Sequence, residues 1–446
     1  MMSVSAAVDV LFLSFNCAKA LIDVPVFAGH VENVFHTRAT ELPEIVVFSL
    51  QEIAPLSYAF IGGSFLNSYI HRFESALNLA AEQFSSPSQS SSSANDQQSQ
   101  QKQTYSRIRF KNVGYTAIAL FARESGRVHH VREAEVGFGA AEMGNKGAVG
   151  LRLEYHGEGG ETTLTFVATH LAAMEWNLSK RNDNWASIMR CMTFGDPAQI
   201  KTGESDGDEQ GLLLADETTL QDISIFNPAS HLFVGGDLNY RISAESPAPG
   251  AAFPSMDADS EDYYPKFFER DQLTQERRAG RTMHGLTEEK VTFAPTYKYD
   301  VEDDGSEPVK WKFAAHRYPS WTDRILYLDL PPWVKAAGKK MHVRAYDSLP
   351  VLRTSDHRPV YLRVDVPLVG AAEMRAPEGV AEGKDDPRLR MPVEIDSGAW
   401  ERREAAKRKE VMLGWSTLLW STREGAVVVG TFLMATMGAY WFFFRA

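Results

Sequence analysis

The sequence predicts an α/β layered domain over roughly residues 5–368, followed by one apolar C-terminal helix. Three observations lead there. Apolar runs of strand length recur along the chain, stretches of helical spacing are mixed among them, and a last apolar stretch stands apart from both. Hydrophobic residues make up 44% of the 446 and charged residues 23%, the balance of a chain able to bury a sizeable core. That length suits one large domain or two ordinary ones.

Taken in order, the strand-like runs are Val10–Phe15, Ile45–Leu50, Tyr115–Phe121, Ala148–Leu153, Leu164–Ala168, Leu232–Val234 and Val360–Val364. They are rich in Val, Ile and Phe, and several read as buried on both faces. Phe65–Phe84 places Leu66, Tyr69, Ile70, Phe73, Leu77 and Ala80 at helical spacing, and Leu171–Met192 reads as a second helix. Residues 85–103 are almost all Ser, Gln and Asn, a composition expected to stay disordered, and 201–210 read as a solvated acidic loop. Ala371–Ser397, rich in Pro, Gly and charge, reads as the start of a linker covering about 369–410.

Gly425–Phe444 is a charge-free apolar run of about 20 residues, the length that crosses ~30 Å of hydrocarbon. Basic residues Arg402, Arg403, Lys407, Arg408 and Lys409 precede it, and Trp415, Trp420, Tyr440 and Trp441 suit the interfaces. The N-terminus shows no signal-peptide pattern. Together these features predict a C-terminal tail anchor with the preceding domain in the cytosol, the endoplasmic reticulum being the expected membrane. A chain ending at Ser397 is then expected to be a soluble, folded enzyme with nearly unchanged activity on soluble substrates. The net charge of −12 argues against a nucleic-acid partner. Two cysteines, Cys17 and Cys191, make no disulfide framework, and neither is followed by an Arg six positions on, which excludes the Cys-x5-Arg phosphatase loop.

Polar residues fall repeatedly at the ends of these strands. Asn16 closes the first, Gln51-Glu52 the second, Thr169-His170 a later one and Gly236-Asp237-Leu238-Asn239 another, while Ser355-Asp356-His357 immediately precedes the last. A cleft above a sheet requires that placement. Glu52 and Asn16 offer hard oxygen ligands that suit Mg²⁺. His170 and His357 can donate hydrogen bonds near neutral pH. Asp237 and Asp323 can accept a proton or orient an imidazole, and Gly144-Asn145-Lys146-Gly147 supplies a turn with backbone donors and one cation, as a phosphate needs.

Gly235–Arg241 (GGDLNYR) and Pro319–Leu326 (PSWTDRIL) resemble the two signature motifs of the inositol polyphosphate 5-phosphatases. Ser355–Val360, Thr169–Ala173 with Arg181-Asn182-Asp183, Gly144–Ala148 and Phe293–Tyr299 match further blocks in the family's order, so the resemblance covers about residues 8–366. It implies a tail-anchored, fungal-type member with the DNase I-like four-layered α/β/β/α sandwich. It further implies Mg²⁺ held by Asn16 and Glu52 with Asp356 nearby, and Asp237 orienting or deprotonating the attacking water. Asn239, His170 and His357 would contact the phosphoryl group, with Asp323 orienting His357. Asn145 and Lys146 would touch a substrate phosphate, and Tyr297 and Lys298 would meet a 4-phosphate. Arg317, Arg324, Arg181, Asn182 and Arg241 complete the implied substrate contacts, with Lys312 a further source of positive charge. The reaction implied is hydrolysis of a phosphoinositide 5-phosphate, phosphatidylinositol 4,5-bisphosphate foremost. A loop at Val136–Met143, carrying Phe138 and Met143, would approach acyl chains or else pack as a buried turn.

Two other readings stand beside it. One is a related phosphodiesterase such as a sphingomyelinase, or a nuclease; Trp321–Leu326 and Pro295–Lys298 do not fit it. The other is a catalytically inactive phosphoinositide-binding tether, against which stand intact candidates at every catalytic position.

Overall fold

The computed structural model describes residues 6–85, 103–200, 218–302, 305, 308–379, 386–421 and 423–445. The polar stretches expected to be disordered or looped lie almost wholly outside these residues. Ser85 itself is the last residue of a helix.

Two sheets face each other. The first runs in the order β12 (His342–Ser348), β13 (Val360–Pro367), β1 (Ala7–Asn16), β2 (Ile45–Gln51), β4 (Thr116–Ala122), β3 (Ser106–Val113). The second runs β11 (Asp323–Tyr327), β8 (Ser230–Asp237), β7 (Gly160–His170), β6 (Gly147–Gly157), β5 (Val128–Gly137). A small hairpin, β9 (Tyr299–Val301) with β10 (Trp311–Phe313), stands to one side. Every pairing within the two sheets is antiparallel except β1 with β2 and β7 with β8.

Side-chain alternation explains why the central strands read as unbroken apolar runs. In β1, Val8, Val10 and Phe12 point into the core between the sheets, where they meet Leu151, Phe166, Phe233 and Ile325. Leu11, Leu13 and Phe15 point the other way, against α1 (Val24–His36) and α3 (Asn67–Ser85). Asp23 caps α1 through a 3.0 Å bond from the Val26 N–H, and Phe27, Ala28, Val31, Val34 and Phe35 form its buried stripe. On the outer face of the second sheet, α4 (Leu178–Cys191) packs Trp185, Ile188 and Met189 on Val167 and Val234. Helix, sheet, sheet, helix is the four-layered sandwich that the sequence implied. Each large apolar side chain in these cores contributes about 1.5–3 kcal/mol by leaving water.

The edge strands β3, β5 and β12 were not legible as apolar runs, because one face of each carries Arg, Lys, His or Glu toward solvent. The helix expected over Leu171–Met192 begins at Leu178, the preceding residues forming a loop that turns back toward the strand ends.

The expected linker is corrected most. Ala399–Ser421 is a helix whose buried face, Ala399, Arg403, Ala406, Glu410 and Gly414, packs on α2 (Leu56–Ile61) and β5. Upstream, Met374 and Arg388 are buried, and Arg375 pairs with Asp222 at 2.7 Å. The segment is built onto the domain. Gly425–Phe444 lies in a final helix long and apolar enough to span a membrane, and from Thr431 to Phe444 its side chains are exposed.

Candidate active site

The two parallel pairs, β1/β2 and β7/β8, end at the same edge of the sandwich, and the polar strand-end residues gather there. Register sets the partners: Asn16 lies opposite Gln51, His170 opposite Asp237, and Asp237 opposite Asp323 across the antiparallel β8/β11 pair. The fit at the ends of β7 and β8 is close. A Cβ on Gly236 would stand 1.8 Å from the Thr169 carbonyl oxygen, so only glycine lets Asp237 and His170 approach.

Asp237 is the most heavily supported group. Its carboxylate accepts from Asn16 Nδ2 at 3.0 Å and from the Asn239 N–H at 3.1 Å, and His170 Nε2 lies 3.2 Å away. Burial by itself would raise its pKa. The His170 hydrogen bond and the charges of His357 and Lys146 outweigh that and hold it well below the usual carboxylate range. Asp237 is therefore an anion throughout the physiological range.

His170 sits between Asp237 and the Lys146 ammonium, which contacts both ring nitrogens. Burial first, then Lys146, lowers its pKa, so its imidazole is held neutral. Lys146 is itself pushed down, chiefly by burial, and lies 3.9 Å from Glu52 Oε1. Glu52 has a left-handed backbone (φ 46°), a conformation costly for a residue with a side chain and common at functional sites. Its other oxygen pairs with Lys19 Nζ at 3.0 Å.

His357 behaves oppositely to His170. Its Nδ1 lies 2.9 Å from Asp323 Oδ2, an oxygen that also accepts from the Thr296 hydroxyl at 2.7 Å and the Thr322 hydroxyl at 2.8 Å. Burial opposes charging the ring, but Asp323, Asp237 and Asp356 together push its pKa up to about 9. The pair is an imidazolium held by a carboxylate, with Nε2 turned away from Asp323 and able to donate. The Tyr297 ring lies tilted against His357 with centroids 4.6 Å apart, and the Arg241 guanidinium lies 4.3 Å from the centre of the Tyr297 ring. Arg241 also bonds the Asn239 carbonyl at 3.1 Å and contacts Asn239 Oδ1, while Asn239 Nδ2 donates to the Leu171 carbonyl at 3.2 Å. One Asn239 amide hydrogen remains to face a ligand. Lys298 Nζ pairs with Asp356 Oδ2 at 2.6 Å on the same rim.

Asn16, Glu52, Lys146, His170, Asp237, Asn239, Arg241, Tyr297, Lys298, Asp323, Asp356 and His357 thus come together. Asn145 is exposed beside Lys146. Arg317 stands farther out, its guanidinium tied to Glu175 at 2.5 Å and to Ser246 at 3.3 Å.

Three residues read as substrate contacts are placed elsewhere. Arg324 is fully buried and divided between Asp271 at 3.1 Å and Glu288 at 2.5 and 2.7 Å. Arg181 is buried too, donating to the carbonyls of Ala172, Met174 and Glu175 and to Gln272 Oε1. Asn182 joins Glu276 and Tyr240. Each is held by protein partners, and together they tie α4, the loop after β7 and Gln272–Arg278 into one frame behind the site. Phe138 packs half-buried on the outer core, the buried-turn alternative of the two expected for its loop.

The sequence reading missed Lys19, and it missed Thr296 and Thr322, which hold Asp323. Thr322 directly precedes Asp323 within the PSWTDRIL motif, so its proximity was visible; Lys19 carried no local signal. A surface cavity of about 930 Å³, lined by Arg277, Arg278, His284 and Arg390 among others, contains none of the site residues.

This fold is the DNase I-like sandwich, with a cluster of carboxylates, amides and two unlike histidines at one edge of it. The chain belongs to the endonuclease/exonuclease/phosphatase family 2, which it matches over residues 13–363. It is 30% identical over 327 residues to the polyphosphatidylinositol phosphatase INP53 of Saccharomyces cerevisiae, covering 72% of this chain and 23% of that protein. It is also 30% identical over 262 residues to the human phosphatidylinositol 3,4,5-trisphosphate 5-phosphatase 1, covering 56% and 18%. The synaptojanin of Caenorhabditis elegans is 32% identical over 230 residues, covering 52% and 16%. The chain thus spans less than a quarter of the length of each of these curated relatives. A solved inositol polyphosphate 5-phosphatase domain of SPsynaptojanin, in complex with inositol (1,4)-bisphosphate and calcium ion, shares the fold. It superposes with a TM-score of 0.53 at 23% identity, covering 91% of this chain and 93% of that one. The inositol polyphosphate 5-phosphatase resemblance read from the motifs is borne out.

Proposed function

We propose that the chain hydrolyses the 5-phosphate of phosphoinositides, phosphatidylinositol 4,5-bisphosphate foremost, at the cytosolic face of a membrane, the endoplasmic reticulum being our reading. The observation that carries the proposal is the convergence of the Asp237–Asn16–His170 group and the His357–Asp323 pair at one cleft edge, with Lys146 and Lys298 beside them. The names of similar proteins, which act on polyphosphoinositides, support the substrate class.

Asp237, an anion held between Asn16, Asn239 and His170, aims the attacking water through a hydrogen bond and is placed to take its proton. His357, charged and buried, donates from Nε2 to a phosphoryl oxygen, and Asn239 contributes its remaining amide hydrogen. His170, kept neutral, braces Asp237 and positions Lys146. Such fixed donors aimed at developing charge lower the barrier without reorganising during the reaction. Lys298 beside Tyr297 supplies the cation for a neighbouring ring phosphate, Asp356 keeping it in place.

The donors Asn16, Glu52 and Asp356 offer only oxygen, and their two carboxylates already attract ammonium groups, so the set fits a hard divalent cation such as Mg²⁺. When bound, that ion neutralises charge on the phosphoryl and leaving oxygens.

The test is phosphate release by the full-length protein, with and without Mg²⁺, from vesicles carrying phosphatidylinositol 4,5-bisphosphate and from vesicles carrying sphingomyelin. Release of inorganic phosphate only from the inositol lipid, dependent on the cation, is expected. Choline phosphate from sphingomyelin, or no product from either, would refute it.

A further inference from the structure

The helix Ala399–Ser421, which leads into the apolar span, reaches the candidate site through one side chain. Glu410 is buried, and its Oε1 accepts a 2.7 Å bond from the backbone N–H of Gly144, two residues before Lys146. Arg403, two turns back on the same face at i−7, clamps the same carboxylate with its two terminal guanidinium nitrogens at 2.5 and 2.9 Å. Its Nε bonds Glu135 on β5 at 2.9 Å, and Nη1 reaches the Glu142 carbonyl at 3.2 Å. Glu135 is further paired with Lys111 at 3.0 Å.

Gly144 has no freedom to do otherwise. Its carbonyl accepts from the Tyr115 N–H at 3.2 Å, and a Cβ on it would meet Val113 Cγ1 at 2.6 Å and the Gly114 nitrogen at 2.9 Å. The turn is gripped on one side by the β3–β4 turn and on the other by Glu410. Beyond it, the Lys146 carbonyl accepts from Phe138 N–H at 2.8 Å, which leaves the Lys146 side chain directed at His170 and Glu52. Farther along the helix, Gly414 lies against Ile61 and Phe60, where a Cβ would stand 2.9 and 3.1 Å from their side chains, and Trp415 meets Phe65 edge-on at 5.4 Å.

We propose that Glu410 is a positioning residue that fixes the Gly144–Lys146 turn, so that the helix leading into the apolar span is a working part of the substrate site as well as a connection to the anchor. The proposal rests on the reading of Lys146 as a phosphate contact. It also reverses the expectation for a chain ending at Ser397: that chain lacks Arg403 and Glu410 and loses activity on soluble substrate too.

The experiment uses full-length protein in detergent with a soluble inositol phosphate bearing 4- and 5-phosphates, which removes any effect of membrane concentration. Glu410→Ala is expected to lower kcat/KM about tenfold, the scale of one lost charge-assisted hydrogen bond. Added to Lys146→Ala, it should cost no more than about twofold further, because the two act through one turn. Hydrogen exchange over residues 138–147 should quicken in Glu410→Ala but stay near wild type in Glu410→Gln, which keeps an acceptor for the Gly144 N–H. Fully additive losses, unchanged kcat/KM in Glu410→Ala, or unchanged exchange would each overturn the inference. Should Glu410→Ala fail to fold, Glu410→Gln decides, since quickened exchange there overturns it. Wild-type protein without 5-phosphatase activity, or Lys146→Ala without effect, would instead sink the functional reading on which it rests.

Discussion

Replacing Arg324 by Met separates the substrate-contact reading of this residue from its place in the structure. The guanidinium is fully buried, joins Asp271 on one side and Glu288 on the other, and stands directly after Asp323 in the strand that carries the dyad. Removing it strands two buried carboxylates, a defect that costs about 3–5 kcal/mol. Glu288 keeps Arg277 at 3.2 Å and Tyr346 at 2.8 Å, and Asp271 keeps the Thr274 N–H and hydroxyl, which places the loss near the low end, about 3 kcal/mol. For a domain of this size the unfolding entropy is roughly 0.75 kcal/mol/K, so the melting temperature should fall by ~4 °C. Differential scanning fluorimetry of full-length protein in detergent reads that shift, and kcat/KM per folded molecule should stay within about threefold. An unchanged melting temperature with a loss of more than about tenfold in kcat/KM would return Arg324 to the substrate and refute this reasoning.

The remaining predictions follow the same geometry. Asp237→Ala should lower kcat by several orders of magnitude in folded protein, since the water loses the carboxylate that aims it; retention of more than about a tenth of wild-type kcat would remove that role. Glu52→Gln should raise the Mg²⁺ concentration needed for half-maximal rate as well as slow turnover, and an unchanged metal titration would contradict the ligand set. Lys298→Ala should cost roughly 1–3 kcal/mol on substrates with a 4-phosphate and far less on one without it; equal losses would move Lys298 out of specificity. Thr296→Val removes a donor to Asp323 inside a buried dyad and should reduce kcat with little change in KM, whereas a pure KM effect would place Thr296 in binding.

Most of this site was legible because strands announce themselves and their ends are easy to mark. Asn16, Glu52, His170 and Asp237 each follow an apolar run, and parallel pairing of β1 with β2 and β7 with β8 then brings those ends to one edge. Arg181 and Arg324 misled for the opposite reason. They sit inside motifs beside candidate catalytic residues, and a buried guanidinium held by Asp271, Glu288 or backbone carbonyls has the same letter as one that grips a phosphate. Lys19 was missed because its partner Glu52 lies 33 positions away and the pair meets only through the β1/β2 register and the left-handed turns at Ala18, Lys19 and Glu52. The docked tail helix was illegible because its buried stripe is Ala399, Arg403, Ala406, Glu410 and Gly414. Small and charged residues on that spacing look like a solvated basic stretch, and the sheet-edge Glu135 that neutralises Arg403 is 268 positions upstream. Where burial is apolar the pattern shows it. Where burial is ionic, only the fold can.

The central claim is hydrolysis at the 5-phosphate with cleavage of the phosphorus–oxygen bond and solvent oxygen entering the phosphate, and oxygen-18 labelling tests it most directly. Full-length protein, Mg²⁺ and vesicles of phosphatidylinositol 4,5-bisphosphate are incubated in H₂¹⁸O, and the phosphate and the lipid are analysed by mass spectrometry. The account predicts one ¹⁸O in each released phosphate and a lipid product that keeps its 4-phosphate, with no label in its hydroxyl groups. Label in the inositol hydroxyl, loss of the 4-phosphate, or cleavage to diacylglycerol would contradict it.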